Sequence, residues 1–313
     1  MADVLYGLFV GVLLIGALIF LDRWTDRANA ETDKRAVRMG LFITFGAFGF
    51  LVLVWGLAST LEAYNSGDGA DVRGLTFAGI GLAAVVTLIP QLRRLLARLI
   101  PFNPRDYKDV IGLLLILWVV CLRLAEYFLP DEAEVNVTYG GLVVQALTLS
   151  AIALVAVGIV GRRSLPEALT RLGVVRPTGR QVGIALGLVV VILVVSATAN
   201  LVAESLVPGV YDDLQETLDE TTQNLDLVWG ALAIGLTAAI GEELLFRGAI
   251  QPRYGVIFTA IVFAIVHVQY HPALILTGLL PVGLVLGYER KYLNTTACII
   301  THAAYNIIAV LLS

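Results

Sequence analysis

The sequence contains few charged residues for its length. Asp, Glu, Lys and Arg make up only 15% of the 313 residues, whereas 58% are hydrophobic. The mean hydropathy is +0.86, and soluble domains are only about 45–50% apolar even when glycine is included. This composition excludes an ordinary soluble domain. It predicts a multi-pass integral protein of the cell membrane, with the lipid bilayer as its first partner.

Cysteine and histidine are also scarce. The two cysteines, Cys121 and Cys298, both lie within apolar runs, which excludes a disulfide framework and a cysteine-rich zinc module. Only three histidines occur, and two of them, His267 and His302, also lie within apolar runs. The net charge of −4 carries little information as a total, and we expect no nucleic-acid partner.

What the sequence has in abundance is apolar runs near the length of a membrane span, about 16–26 residues. We expect the first run to be a membrane anchor and not a secretory signal, because its positive charges follow the apolar stretch instead of preceding it. We therefore predict an all-α fold, a polytopic helical bundle of about ten transmembrane helices. The runs are 4–21, 39–60, 74–92, 110–129, 138–161, 181–206, 227–250, 255–270, 273–288 and 295–312.

The charges between these runs alternate along the chain. Lys and Arg fill the loops after the first, third and fifth runs, whereas the loop 208–226 carries only acidic charges. Basic residues accumulate in cytoplasmic loops, so a ten-helix topology with both termini outside fits every loop. We divide the chain into N-terminal transmembrane helices of unassigned role, 1–165, and a domain at 166–313 that holds all the motifs within 227–310.

Two adjacent glutamates, Glu242 and Glu243, directly continue the apolar run that begins at residue 227. An uncompensated carboxylate inside a bilayer is costly, and intramembrane ionisable groups generally mark functional sites. Glu243 and Arg247 are four residues apart in the favoured acid-first order, so they lie on one helical face and can neutralise each other. Glu242 points about 100° away, and we interpret it as the working carboxylate.

The histidines share their helical faces with other distinctive residues. Phe263 and His267 are four residues apart, as are His302 and Asn306. In the ten-helix topology, Glu242 and the two histidines lie roughly 10–17 Å from the inner ends of their helices at 1.5 Å per residue. This common depth predicts one site in the cytoplasmic half of the membrane.

Three motifs follow one another along the chain: Glu242-Glu243-x-x-x-Arg247, Phe263-x-x-x-His267 and His302-x-x-x-Asn306. In this order they resemble the motifs of the CAAX-protease and bacteriocin-processing family of intramembrane metalloproteases. The eukaryotic Ras-converting prenyl protease belongs to the same family. The segment 287–292 resembles the loop before the third motif, and 172–177 resembles the lead-in of bacterial members. The resemblance implies a membrane-embedded metalloendopeptidase that hydrolyses a peptide bond in a membrane-embedded or lipidated protein. It also implies zinc as a cofactor.

The chemistry of peptide hydrolysis gives each residue a candidate role. A carboxylate in a low-dielectric site suits the base that activates water, which we assign to Glu242. His267 can orient that water or bind zinc, while His302 and Asn306 can hold a metal or donate to the oxyanion. Two mechanisms stay open. Either zinc is bound directly by Glu242, His267 and His302, or Glu242 and His267 activate water themselves.

Several residues also have structural interpretations. Glu243, Arg247 and Phe263 are expected to support the site, and a buried histidine can simply bond a neighbouring helix. Cys298 is more typical of a small buried hydrophobe than of a metal ligand. His271, before Pro272, is expected at a helix end, and Arg123 and Glu126 are expected to pair or to reach the interface.

Two further functions compete with proteolysis at the level of sequence. Intramembrane glutamate and histidine also serve as proton relays in transporters, although no internal repeat is evident. A non-proteolytic family member that confers immunity or acts as a scaffold would keep the same site residues. The sequence favours the protease because three motifs in order share one depth.

Overall fold

The structure is a computed structural model that describes residues 2–30, 34–67, 71–129 and 137–312. Every regular element in these residues is helical, which confirms the all-α fold. Three segments, Phe42–Ala47, Leu244–Ile250 and Ile275–Leu279, are π-helical. The α-helices are α1 (Ala2–Asn29), α2 (Lys34–Leu41), α3 (Phe48–Ser66), α4 (Val72–Leu88), α5 (Pro90–Leu96), α6 (Tyr107–Phe128), α7 (Tyr139–Ala156), α8 (Leu165–Leu172), α9 (Gly179–Leu206), α10 (Val210–Thr222), α11 (Leu227–Glu243), α12 (Gln251–Tyr254), α13 (Val256–Ile265), α14 (Pro272–Leu274), α15 (Leu280–Tyr292) and α16 (Thr295–Leu312).

Within the described residues, eight continuous helical stretches are long and apolar enough to cross a membrane. This confirms a multi-pass membrane bundle, while the side on which the termini lie stays a prediction. The eight stretches are Tyr6–Asn29, Ala36–Ser66, Tyr107–Phe128, Tyr139–Ala156, Gly179–Leu206, Leu227–Tyr254, Pro272–Tyr292 and Thr295–Leu312.

The other two predicted spans are helical but are not straight, full-length spans. The run 74–92 breaks between α4 and α5, whose axes differ by 96°. Pro90 begins α5 and holds Ile89 in an extended conformation, which is the expected effect of proline on the preceding residue. The run 255–270 yields only α13, whose 10 residues cover about 15 Å at 1.5 Å per residue. The count of ten spans was therefore too high for the described residues.

The chain forms two compact units, of which the second comprises Leu21–Glu132 and Ile265–Val268. In this unit α4 packs against both α3 and α6. At Gly56 an added Cβ would overlap the backbone of Ala78, so the small residue permits the close helix contact usual in membranes. Arg123 forms the predicted ion pair with Glu126 and donates from Nε to the Val266 carbonyl at 3.2 Å.

The first unit comprises Met1–Phe20, Ala133–Ala264 and Gln269–Ser313 and contains most of the predicted site. At its centre α11 packs against α16 and α7, and α16 packs against α9. A Cβ at Gly235 would lie 2.5 Å from Ile307 Cγ1 and 3.0 Å from the Ala303 carbonyl oxygen. The absence of a side chain at Gly235 therefore lets α11 approach α16 closely.

The segment before α9 is attached to the start of α16. Gly173 ends α8 with a positive φ of 80°, a conformation that favours glycine. Thr295 then donates its backbone N–H to the Gly173 carbonyl at 3.0 Å and its hydroxyl to the Leu172 carbonyl at 2.5 Å. The 172–177 segment thus contacts the helix that carries His302. The functional division at residue 165 stays a prediction.

Candidate active site

The structure joins the first and third motifs through Glu243 and His302. Glu243, the last residue of α11, is 0% exposed, and its Oε1 lies 2.9 Å from Nδ1 of His302 on α16. An ionised carboxylate only accepts hydrogen bonds, so His302 Nδ1 carries the hydrogen and the free ring nitrogen is Nε2. Sequence reasoning missed this contact, because it assigned Glu243 only to Arg247.

The predicted pair between Glu243 and Arg247 is confirmed. Arg247 Nε lies 3.3 Å from Glu243 Oε2, and both side chains are 0% exposed. The guanidinium also lies 4.4 Å from the ring centroid of Phe263, and Nη2 donates to the Gly283 carbonyl at 3.4 Å. Each buried charge is thus compensated by an opposite charge or by an aromatic face.

The backbone around this pair is π-helical. Leu244–Ile250 follows α11 directly and contains Arg247. Single π-helical turns are uncommon and often occur at functional sites. Phe246 of this turn contacts Phe263 edge to face, with ring centroids 5.4 Å apart. Phe263 in turn lies edge to face with the His302 ring at 6.2 Å, so this aromatic side chain links all three motifs.

Glu242 has a different environment from its neighbour. It is half-buried, whereas Glu243 is fully enclosed. The charge of Glu242 interacts electrostatically with His302 and with Tyr270. Two adjacent carboxylates in unlike surroundings are suited to unlike tasks. Glu243 holds the histidine and the arginine, and Glu242 is the partly accessible carboxylate beside them.

Tyr270, which the motifs do not include, interacts electrostatically with Glu242 and with Tyr305. The Tyr305 hydroxyl lies 2.8 Å from Ser196 Oγ on α9. Burial, reinforced by the nearby Tyr305 and Glu242, raises the pKa of Tyr270 to about 12, so Tyr270 is a neutral hydroxyl at ordinary pH. Asn306, one turn beyond His302, is half-buried. Its predicted role at the oxyanion stays a prediction.

His267 follows α13 in the turn whose residues Ile265–Val268 are grouped with the second unit. It is half-buried, and its part in the site stays a prediction. His271 accepts the backbone N–H of Ala273 at 3.2 Å and caps α14, which confirms the expected helix end. Cys298 is buried in an apolar cluster with Leu286, as expected of a small hydrophobe.

A zinc cofactor requires several donor side chains close to one another. A catalytic zinc site usually has three protein ligands and one open position. The described residues contain no group of three or more His, Cys, Asp or Glu side chains placed to hold a metal ion. Direct coordination by Glu242, His267 and His302 stays a prediction, and zinc stays a proposal from the resemblance.

Two charged residues near the site, of which Glu289 is buried and Arg290 is half-buried, were not singled out from the sequence. The segment 287–292, which resembles a loop, instead forms the last turns of α15. There Glu289 is 4% exposed and accepts the Thr301 hydroxyl at 2.8 Å. Arg290 donates from Nε to the Arg247 carbonyl at 3.2 Å. Their position at the end of an apolar run beside Lys291 was typical of a solvated loop.

Comparison with known proteins agrees with the motifs. Residues 224–308 match the family model described as Type II CAAX prenyl endopeptidase Rce1-like. The match begins just before α11 and ends within α16, so it contains Glu242, Glu243 and His302. No curated protein and no solved structure matches the chain. Over residues 224–308, the chain is therefore similar to the CAAX-protease family.

Proposed function

We propose that this protein is an intramembrane endopeptidase in which Glu242 activates the water that attacks a peptide bond. The family match supports a membrane protease in general. The observation that carries the finer proposal is the division between the two glutamates. Glu243 is enclosed by two partners, whereas Glu242 is half-buried and within electrostatic range of His302.

The role of base follows from the position of Glu242. A general base must accept a proton from water close to the scissile carbonyl. Glu243 is unsuited to this role, because its two oxygens face His302 and Arg247. Glu242 is half-buried and is therefore the more accessible of the two glutamates.

The second proposed role is that of His302, whose imidazole is held in place by Glu243. The carboxylate of Glu243 fixes its Nδ1–H tautomer and stabilises positive charge on the ring, as carboxylate–histidine pairs do in hydrolases and metal sites. His302 Nε2 can then orient the water or, when protonated, donate to the oxyanion. Arg247 balances the second oxygen of Glu243, so the network remains neutral overall before reaction.

The roles proposed for Asn306 and His267 come from the sequence motifs. We propose Asn306 as an oxyanion donor and His267 as a second imidazole that orients the water. If zinc is bound, it supplies a Lewis acid that acidifies water. The steps proposed for Glu242 and His302 are those of the side chains themselves and do not depend on this metal.

The proposed substrate is a membrane-embedded or lipidated protein, cleaved in the cytoplasmic half of the bilayer. The resemblance to prenyl proteases supports this proposal. Membrane proteomes of wild-type, null and Glu242→Gln cells provide the test. We expect the same uncleaved precursor to accumulate in the null and Glu242→Gln cells. Normal processing in Glu242→Gln cells would refute the assignment and favour a non-proteolytic role.

A further inference from the structure

The second unit holds two arginines against one tyrosine ring. The guanidinium carbon of Arg38, on α2, lies 5.2 Å from the ring centroid of Tyr107, and that of Arg93, on α5, lies 5.3 Å from the same centroid. A cation within about 6 Å of an aromatic centroid is attracted by the ring. We call these three residues, none of which has a role in the proposed active site, the arginine–tyrosine site.

The end of α1 holds two parts of this site in place. Arg38 donates from Nε to the Ala28 carbonyl at 3.0 Å. Tyr107 begins α6 and donates its backbone N–H to the side-chain oxygen of Asn29 at 3.0 Å. The Asn29 amide in turn donates to Asp106 at 2.7 Å. The guanidinium of Arg38 and the start of α6 therefore meet because of specific hydrogen bonds to one helix end.

Arg93 is the charge of this site that lacks a counter-charge. It is only 9% exposed, and it forms no hydrogen bond or ion pair with a residue that the structure describes. Because no nitrogen of this side chain is both enclosed and without a hydrogen bond, its exposed part includes the guanidinium. A buried charge without a partner is costly, and contact with the Tyr107 ring offsets only part of that cost. The guanidinium can therefore accept an external anion.

The carboxylates around the start of α6 are engaged by other groups. The Lys108 ammonium lies 3.1 Å from Asp22 and 2.5 Å from Asp26. Asp106 accepts the backbone N–H of Lys108 at 2.8 Å, and Asp109 accepts a backbone N–H at 3.0 Å. Two positive charges that are held at one ring, beside acids with other partners, favour binding of an anion from outside the chain.

The arginine–tyrosine site lies where membrane-spanning helices end. Tyr107 begins the span Tyr107–Phe128, and Arg38 is close to the start of the span Ala36–Ser66. Helix α4 packs against α3 and α6, which belong to these two spans. The axis of α5 differs from that of α4 by 96°. Helix α5 therefore runs across the ends of the spans, along the membrane surface.

The exposed side chains of α5 and of the turn after it suit this position. Leu95 and Leu99 are 55% and 81% exposed and lie four residues apart, as do the exposed Arg94 and Arg98. Exposed leucines beside exposed arginines on a helix at the membrane surface are typical of the headgroup layer. The phosphates of anionic lipids are the anions concentrated in that layer.

We propose that the arginine–tyrosine site binds the phosphate of an anionic phospholipid headgroup. Arg93 provides the guanidinium that lacks a counter-charge, Arg38 provides a second guanidinium, and the Tyr107 ring positions both. Guanidinium groups bind phosphate oxygens through paired N–H groups, and basic sites between transmembrane helices recognise anionic headgroups by this chemistry. The bound phosphate connects α2 with α5, so the lipid stabilises the second unit.

Lipid binding to the full-length chain in detergent tests the proposal. Phosphatidylglycerol and phosphatidylcholine are titrated separately in concentrated ammonium acetate, which screens diffuse charge attraction, and bound lipid is counted by native mass spectrometry. We expect phosphatidylglycerol to bind more tightly, and equal binding of the two lipids would overturn the proposal. Arg93→Gln and Arg38→Gln should each weaken phosphatidylglycerol binding about tenfold or more, the effect of losing a hydrogen bond to a charged group.

Arg94→Gln is the matched control, because Arg94 is the exposed neighbour of Arg93 on the same helix and the substitution removes the same charge. It should leave phosphatidylglycerol binding nearly unchanged. Equal weakening by Arg93→Gln and Arg94→Gln would overturn the proposal in favour of diffuse charge attraction. Inorganic phosphate forms a further arm. If it displaces phosphatidylglycerol at equal concentration, the site accepts free phosphate and the lipid assignment is wrong.

Thermal unfolding in zwitterionic detergent separates lipid binding from a purely structural role of the arginines. Phosphatidylglycerol should raise the unfolding temperature of wild type and of Arg94→Gln but not of Arg93→Gln, because a ligand stabilises only a protein that binds it. If Arg93→Gln shows the wild-type increase, Arg93 only packs against Tyr107 and the proposal is wrong. Arg38→Gln changes a half-buried residue and gives the same comparison if Arg93→Gln does not fold.

Discussion

Replacing Glu243 or Arg247 disrupts a charge pair that has no access to solvent. In Arg247→Met, Glu243 keeps the hydrogen bond from His302 but loses its only full counter-charge. In Glu243→Gln, Arg247 keeps the Phe263 ring and a long hydrogen bond to the Gly283 carbonyl. Both variants leave a buried charge that is only partly compensated.

The expected loss is large for a single substitution. Removing one partner of a buried ion pair typically costs about 3–5 kcal/mol, and contact with an aromatic face recovers about 1–2 kcal/mol. We therefore expect a loss of about 1–4 kcal/mol for Glu243→Gln, in which Phe263 still contacts the arginine. The double variant Glu243→Gln with Arg247→Met removes both charges and should be less destabilised than the sum of the two single changes.

Reversible unfolding in detergent measures this double-mutant cycle, and a second ion pair of the same chain is the control. Arg123 and Glu126 form an ion pair whose side chains are 34% and 54% exposed. An exposed pair is worth about 0–1 kcal/mol, so Glu126→Gln should be nearly neutral. If Arg247→Met is as mild as Glu126→Gln, or if the cycle shows no coupling, Arg247 does not neutralise Glu243.

Three further predictions concern the surroundings of the site. Between about pH 10 and pH 12, Tyr270→Phe should lose less stability than wild type. The pKa of Tyr270 is raised in the folded state, so its contribution to stability is present below the pKa of the unfolded state and is lost as pH rises through the pKa of the folded state. Equal alkaline unfolding curves for the two proteins would contradict this prediction. Gly235→Leu should separate α11 from α16 and lower both folded yield and activity, whereas Gly183→Leu, with no atom within 4 Å of an added Cβ, should be tolerated; equal yields would refute the close contact. Elemental analysis tests the sequence-based proposal of zinc, which predicts about one zinc per chain and a lower content in His267→Ala and His302→Ala; unchanged zinc in both variants would exclude direct coordination by these histidines.

Local geometry made part of the site predictable. Glu243 and Arg247 are four residues apart, so helix periodicity alone places them together. The bond between Glu243 and His302 depends instead on how closely α11 approaches α16, which Gly235 permits. A contact between residues 59 positions apart has no signature in helical spacing. The sequence therefore identified the participants but missed one of their main connections.

Membrane spans were predictable in location but not in path. Hydropathy reports that a run is apolar, and every one of the ten runs contains helix. It does not report a bend, although Pro90 marked the position where the third run turns by 96°. Gly255 likewise marked the start of α13, but the sequence did not show that this helix ends after 10 residues. Proline and glycine within long apolar runs carry information that averaged hydropathy loses.

The central claim is that Glu242 performs the reaction while Glu243 supports the fold. The most direct measurement incubates purified wild-type, Glu242→Gln and Glu243→Gln proteins with membranes from null cells and sequences the new peptide ends by mass spectrometry. We predict that wild type generates new ends, and that Glu242→Gln generates none while unfolding at the wild-type temperature. Glu243→Gln should unfold at a lower temperature. Cleavage by Glu242→Gln at the wild-type rate would contradict the account.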